Sequence, residues 1–364
     1  MAQSANAVRL SGTVRVVGAG LLGSSIGLAL ASQGVDVVLA GSSPTTLKLA
    51  VDLGAGRLAR ADDDPRVIVV CAPPDVTADV IARELADFPD AVVTDVASVK
   101  LEIFNDLVAR GVDLTNYIGS HPLAGREKGG AISAQGDLFV GRPWVICRDE
   151  ETPAWALSLV EDLAADLGAV VIEMGPDEHD AAVALVSHVP QVISSLLAKQ
   201  LESASDNAIS LAGQGVRDTT RIAASAPELW IQILSANAEN VVGVLESFRG
   251  DLDAMIQALT DVDAAGARTT IMTELAAGNS GVSRLPGKHG SKRTYASITV
   301  LVDDKPGQIA RLLTEVGELG INLEDMRLEH VEGAQMGLVE FTVLPEVVAR
   351  AVSELDARGW RVHQ

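Results

Sequence analysis

The first half of the chain alternates short apolar runs with longer amphipathic stretches. The runs 14–17, 35–40, 67–72, 91–95 and 170–174 are mostly rich in valine and too short for helices, whereas 24–32, 76–86, 99–110 and 153–167 between them read as helices. Strand and helix repeating in this way predict a parallel sheet covered on both faces, over residues 1–175. The pattern changes at Pro176. Residues 178–205, 207–223, 227–250 and 251–277 read as long helices without strand alternation, so 176–280 is expected to be an all-helical second domain. Its long apolar helices lead us to expect a homodimer. Residues 278–293 are rich in Gly and Ser with five basic or imidazole side chains, which places a linker at 281–294. Beyond it, 295–302, 322–330 and 338–344 read as strands and 308–319 and 346–358 as helices, a β-α-β-β-α order that describes a ferredoxin-like module over 295–364.

Charge narrows the partners. The 364 residues include 49 acidic and 28 basic side chains, a formal charge of −21, which repels nucleic acid and anionic membrane surfaces alike. The two cysteines, Cys71 and Cys147, lie in strand-like runs and imply a reducing compartment without a disulfide framework. The apolar stretch 14–40 contains Arg15, Gln33, Asp36 and five glycines and lacks a basic leader, so it is read neither as a signal nor as a membrane segment. A soluble, cytoplasmic protein is expected, and no metal site is assigned.

Residues 14–23 place Gly18, Gly20 and Gly23 in a G-x-G-x-x-G pattern directly after the first strand, with Leu21 and Leu22 opening a helix. In a Rossmann-type dinucleotide site the first glycine permits the tight turn, the second lets the diphosphate approach, and the third lets helix and strand pack closely. The alternative is a tight turn that binds nothing. At the end of the second strand a carboxylate for the ribose hydroxyl is missing: Gly41, Ser42 and Ser43 stand there, followed by Thr45, Thr46 and Lys48. NAD and NADP both remain open, since no arginine is present to clamp a 2′-phosphate. Ala72 and Pro73 close another strand, where they either lie along the cofactor or merely end the strand.

Three polar segments stand out. In 94–100, Ser98 lies where doubly wound sheets bind ligands, or else caps the helix beginning at Val99. His121 follows a strand and precedes a Pro- and Gly-rich loop, an unusual setting for a core residue. In the helical half, Pro190 removes a hydrogen bond beside Ser187, His188 and Gln191, and Arg217 and Arg221 stand at i and i+4, either lining a cavity or forming a solvated stripe.

Together the segments 18–23, 95–100, 121–127, 187–190 and 217–230 resemble the prephenate and arogenate dehydrogenases of tyrosine biosynthesis, over most of the chain. The last segment, with Asp304, Pro306 and Gly307 before a helix and Asn322 after it, looks like an ACT domain. The expected fold is therefore α/β: an N-terminal Rossmann-type doubly wound sheet, an all-helical dimerisation domain and a C-terminal ferredoxin-like ACT domain. The resemblance implies oxidative decarboxylation of prephenate with hydride transfer to NAD or NADP. It makes neutral His121 the group that bonds the C4 hydroxyl and Ser98 the group that orients it. Arg221 would hold the ring carboxylate, with Arg217, Ser187 and His188 lining the site. The family often has a histidine where this chain has Gln191, so a contact there is a neutral hydrogen bond. Arg126 stands where an acidic residue goes with arogenate, and arginine favours the pyruvyl carboxylate of prephenate. The ACT resemblance implies an amino-acid effector such as tyrosine, bound near Asp304, Pro306, Gly307 and Asn322. Arogenate dehydrogenase is the near alternative, and a non-catalytic amino-acid sensor and a 3-hydroxyacid dehydrogenase with Lys199 are the distant ones.

Overall fold

The computed structural model describes residues 8–124, 129–148, 152–285, 295–330 and 336–363. They divide into two compact units, Met1–Phe248 and Arg249–Gln364. In the first unit, β1 (Thr13–Val17), α1 (Leu21–Ser32), β2 (Val37–Ala40), α2 (Pro44–Asp52), β3 (Arg57–Leu58), β4 (Pro65–Val70), α3 (Pro74–Asp87), β5 (Val92–Asp95), α4 (Leu101–Ala109), β6 (Tyr117–Pro122), β7 (Pro143–Cys147), α5 (Ala154–Asp166) and β8 (Val170–Met174) follow one another. They build one eight-stranded sheet of order β3-β2-β1-β4-β5-β6-β7-β8.

The valine runs follow from burial on both faces. In β4, Val67 and Val69 join one apolar cluster while Ile68 and Val70 join another, so successive residues point into opposite cores and no polar alternation survives. The sheet departs from the all-parallel expectation at one place, since β7 runs antiparallel to β6 and β8 then runs parallel to β7. A parallel return needs a crossover, usually a helix, and the described residues between β6 and β7 hold only a 3₁₀ turn, Ala131–Ser133.

The helical stretch is more broken than the apolar pattern predicts. It comprises α6 (Pro176–Val183), a π-helical turn (Ala184–His188), α7 (Val189–Gln200), α8 (Asp206–Ile209), α9 (Gln214–Thr220), α10 (Pro227–Ala236) and α11 (Ala238–Thr260). Pro190 explains the first break: it has no N–H to return to Val186, and the chain absorbs the lost bond as a π turn just before it. Gly250 lies inside α11, and the break expected there falls instead at 261–266, where Gly266 at φ +88° precedes α12 (Ala267–Val282). The run Pro176–Ser203 is long and apolar enough, by length and composition alone, to cross a membrane. It buries His179, Asp180, His188 and Gln191 inside the first unit.

In the second unit, β9 (Ala296–Asp303), α13 (Gln308–Glu318), β10 (Asp325–His330), β11 (Met336–Val343), α14 (Val348–Ala357) and β12 (Arg361–His363) form an antiparallel sheet of order β10-β11-β9-β12. Its core joins Ile298, Val300, Leu312, Val316, Phe341, Leu355 and Trp360. The β-α-β-β-α expectation thus holds, and β12 adds an edge strand paired to β9.

Candidate active site

The turn after β1 is shaped by its glycines. Gly18 has φ +107°, and a Cβ on it would lie 2.3 Å from the carbonyl oxygen of Cys71; one on Gly23 would lie 1.9 Å from the carbonyl oxygen of Gly18. Gly20 is different, because a Cβ there meets nothing within 4 Å. It stands at the N-cap of α1 with no side chain bonded to the cap, which leaves the N–H groups of the first turn for a diphosphate. The Gly18 N–H donates to Ala40 at 2.8 Å and that of Cys71 to Val17 at 2.7 Å, which draws the ends of β2 and β4 beside the turn. Ala72 and Pro73 follow, with Pro73 capping α3. Ser42 is exposed, whereas Ser43 caps α2: its Oγ accepts from Thr46 N at 3.4 Å and lies 2.9 Å from Thr46 Oγ1. The cradle fits a dinucleotide.

Beside it, the ends of β5 and β6 are tied by a buried polar network. Lys100 Nζ is ion-paired with Asp95 and donates to the Ser120 carbonyl at 2.8 Å. Tyr117 Oη donates to the other oxygen of Asp95 at 2.8 Å, and Ser120 Oγ donates to the Asp95 carbonyl at 2.7 Å. Lys100 is 1 % exposed and Asp95 0 %, so this pair sits inside the core and fixes the strand end that carries His121.

His121 itself begins a row of side chains. Its Nδ1 lies 2.9 Å from His179 Nε2, and His179 Nδ1 lies 2.7 Å from Asp180 Oδ1. Asp180 accepts from the backbone N–H groups of Lys100 at 2.9 Å and Leu101 at 3.0 Å, so it, and not Ser98, caps α4. Ser98 is half-buried in the turn before that helix. Asn237 closes the row, with Nδ2 2.7 Å from the Asp180 carbonyl and 3.2 Å from His188 Nδ1. The three histidines are buried. Burial, reinforced by the neighbouring His179, Lys100 and His188, holds His121 well below the ordinary histidine pKa, and burial pushes His188 down to about 4. His121 is therefore a neutral imidazole at neutral pH. The thiols are no rivals as reactive groups: burial pushes Cys147 up to about 12 and Cys71 upward as well. Among the described residues no group of three or more His, Cys, Asp or Glu side chains is placed to hold a metal.

Residues 26–173 match the family model for the prephenate dehydrogenase nucleotide-binding domain, and residues 175–273 match that for the prephenate dehydrogenase dimerization domain. A probable prephenate dehydrogenase of Streptomyces niveus is 34 % identical over 96 % of this chain and 98 % of its own length. The chain belongs to the prephenate dehydrogenase family. A cyclohexadienyl dehydrogenase of Zymomonas mobilis is 30 % identical over 69 % of the chain and 89 % of its own length. Among solved family structures, the prephenate dehydrogenase of Aquifex aeolicus in complex with hydroxyphenyl propionate and NAD+ is 26 % identical, with a TM-score of 0.66 over 75 % of this chain and 99 % of that one. Synechocystis arogenate dehydrogenase is 27 % identical, with a TM-score of 0.62 over 74 % and 99 %.

The residues expected from the family resemblance fall in different settings. His188 ends the π turn and Gln191 lies one helical turn further along α7; both are buried, Gln191 donates to Ser195 at 3.3 Å, and Ser187 is half-buried. Arg217 lies in α9, but Arg221 is its C-cap and starts a 3₁₀ turn, so the two do not share one regular helical face. Both are exposed, on segments packed against α7. Arg126 lies outside the described residues. In the second unit, Gly307 at φ +87° caps α13, Asp304 is exposed before it, Pro306 precedes it, and Asn322 Nδ2 lies 3.1 Å from Glu324 Oε1. The residues that sequence reasoning missed are His179, Asp180 and Asn237.

Proposed function

We propose that the protein oxidatively decarboxylates prephenate to 4-hydroxyphenylpyruvate, using NAD or NADP. The observation that carries this reading is His121: a buried, neutral imidazole at the carboxyl end of β6, in the same unit as a glycine turn that fits a dinucleotide. Bound there, the oxidised nicotinamide supplies the hydride acceptor. His121 takes the proton of the C4 hydroxyl as that carbon loses hydride, and Ser98 orients the hydroxyl. Loss of CO2 from the ring then returns an electron pair to the C4 oxygen, and His121 gives its proton back as the phenol forms. The proton is lent and not consumed, so the base has to be neutral at the start, as burial keeps it.

Arg221 and Arg217 supply positive charge for the ring carboxylate, and Ser187 and His188 of the π turn with Gln191 of α7 form a polar wall. The exposed apolar side chains of the helices, among them Leu185, Val186, Leu196 and Ile231, support a homodimer built through this region, as the family's domain description implies. We read the C-terminal module as an ACT domain that binds an amino acid such as tyrosine, on the strength of its strand order and the left-handed Gly307 turn. An acidic chain of this family fits the cytoplasm. Arogenate is the second reading, favoured by the likeness to Synechocystis arogenate dehydrogenase.

Initial rates with prephenate and arogenate, each with NAD and NADP and with and without tyrosine, test all of this together. The expected result is a higher kcat/KM for prephenate, a kcat lowered by about 10²- to 10⁴-fold in His121→Asn, and a KM raised by Arg221→Ala. A preference for arogenate, or unchanged kcat in His121→Asn, overturns the corresponding part.

A further inference from the structure

The row behind His121 has a direction. Asp180 receives two backbone N–H groups at the start of α4, where the helix dipole favours negative charge, and is an acceptor for the ring nitrogen that faces it. His179 must then donate from Nδ1 to Asp180 Oδ1 across 2.7 Å. In neutral His179 this leaves Nε2 as an acceptor, so across 2.9 Å it is His121 Nδ1 that carries the hydrogen. His121 Nε2 is thereby left bare. We infer that His179 and Asp180 are positioning residues that hold His121 in the single tautomer whose free nitrogen can accept the substrate's hydroxyl proton.

The inference rests on the proposed role of His121, but the tautomer is a property of the protein alone. Once His121 is protonated at Nε2, its Nδ1–H still points at His179, and the positive charge lies at the head of a row that ends in a carboxylate. Among the described residues, the other charged or titratable groups that act on His121 are Lys100 at the start of α4, already paired with Asp95 at the end of β5, and His188 on the π turn. None of these reaches His121 Nδ1 in place of His179. The reverse polarity would put the hydrogen on His121 Nε2 and make it a donor to the hydroxyl, unable to take its proton. Elsewhere, loss of a triad carboxylate that fixes a catalytic histidine's tautomer lowers kcat by about 10⁴-fold. An imidazole partner backed by a carboxylate is expected to matter less, on the order of 10²-fold.

The test has two arms. In protein labelled with [15N]histidine, two-bond 15N–1H correlation reads the tautomer of each ring; the chain has six histidines, and His121→Asn identifies the signals of that residue. The expected wild-type pattern is a protonated Nδ1 and a bare Nε2 on His121. In the kinetic arm, His179→Leu removes the acceptor and His179→Gln restores an amide oxygen near the position of Nε2. We expect His179→Leu to lower kcat on the order of 10²-fold with KM within about threefold, and His179→Gln to recover at least about tenfold of that loss. A protonated Nε2 on wild-type His121, a His179→Leu kcat within about twofold of wild type, or a Gln variant no better than Leu each overturns the inference. If the Leu variant does not fold, the wild-type tautomer and the Gln variant still decide it. A wild-type protein inactive on both prephenate and arogenate would sink the functional reading alone, leaving the tautomer to be judged by the spectra.

Discussion

Acidification should weaken the first unit through His188. This imidazole is buried at the end of the π turn, 6.0 Å from the Trp230 ring, and its pKa is pushed down to about 4, from an unfolded value near 6.5. Burial is the main cause, partly opposed by the nearby Asp180 carboxylate. At pH 5 an unfolded histidine is almost wholly protonated while the folded one is about nine-tenths neutral. The unfolded chain therefore binds the extra proton, and stability falls as pH drops through 6.5 and stops falling near 4. About 1.5 pH units at 1.36 kcal/mol each give up to about 2 kcal/mol lost between pH 7 and pH 5. His121, held low for the same reason, adds in the same direction. The assay is urea unfolding followed by circular dichroism at both pH values, for the wild type and for His188→Gln, whose amide can still accept from Asn237. Subtracting the variant's pH dependence removes the titration of surface carboxylates and of the second unit. A difference of up to about 2 kcal/mol is expected. Equal losses in the two proteins, within about 0.5 kcal/mol, would refute the argument that burial holds this histidine neutral.

Gly18→Ala and Gly20→Ala should fail differently. The first forces a Cβ against Cys71 at a positive φ and lowers both thermal stability and dinucleotide affinity, whereas the second meets no protein atom and should leave the melting temperature near wild type while calorimetry shows dinucleotide binding weakened at least about tenfold. Lys100→Met strands the carboxylate of Asp95 in the core, and a loss of about 3 to 5 kcal/mol is expected, seen as a Tm lower by on the order of 10 °C. A Tm within about 2 °C of wild type would show that the Asp95 network does not hold the end of β6.

Much of the fold was legible because it depends on local pattern. Valine runs buried on both faces can only be inner strands, and the glycine turn is written in three residues whose need for glycine the backbone confirms at Gly18 and Gly23. What escaped was set at long range. The direction of β7 depends on a connection without a crossover helix among its described residues, which the apolar periodicity of β7 cannot report. The capping of α4 shows the same limit more sharply. A local reading has to choose a local partner and assigns the cap to Ser98, while the carboxylate that takes the N–H groups of Lys100 and Leu101 is Asp180, some 80 residues away in sequence.

The row behind His121 was hidden for a related reason. Asp177, Glu178 and Asp180 look like the acidic first turn that any exposed helix start favours, and His179 among them looks solvated. Burial says otherwise, and a trace of it was present in the pattern. His179, Asp180 and Val183 share one face of α6, and Ala184 and His188 continue the buried side of the run. A histidine and an aspartate occupying the apolar positions of an otherwise periodic helix have to be bonded to each other or to something else buried, since unpaired they would cost several kcal/mol. Polar residues standing in register with the core side of a helix therefore pointed to His179 and Asp180, whereas the number of polar residues in the segment pointed to solvent.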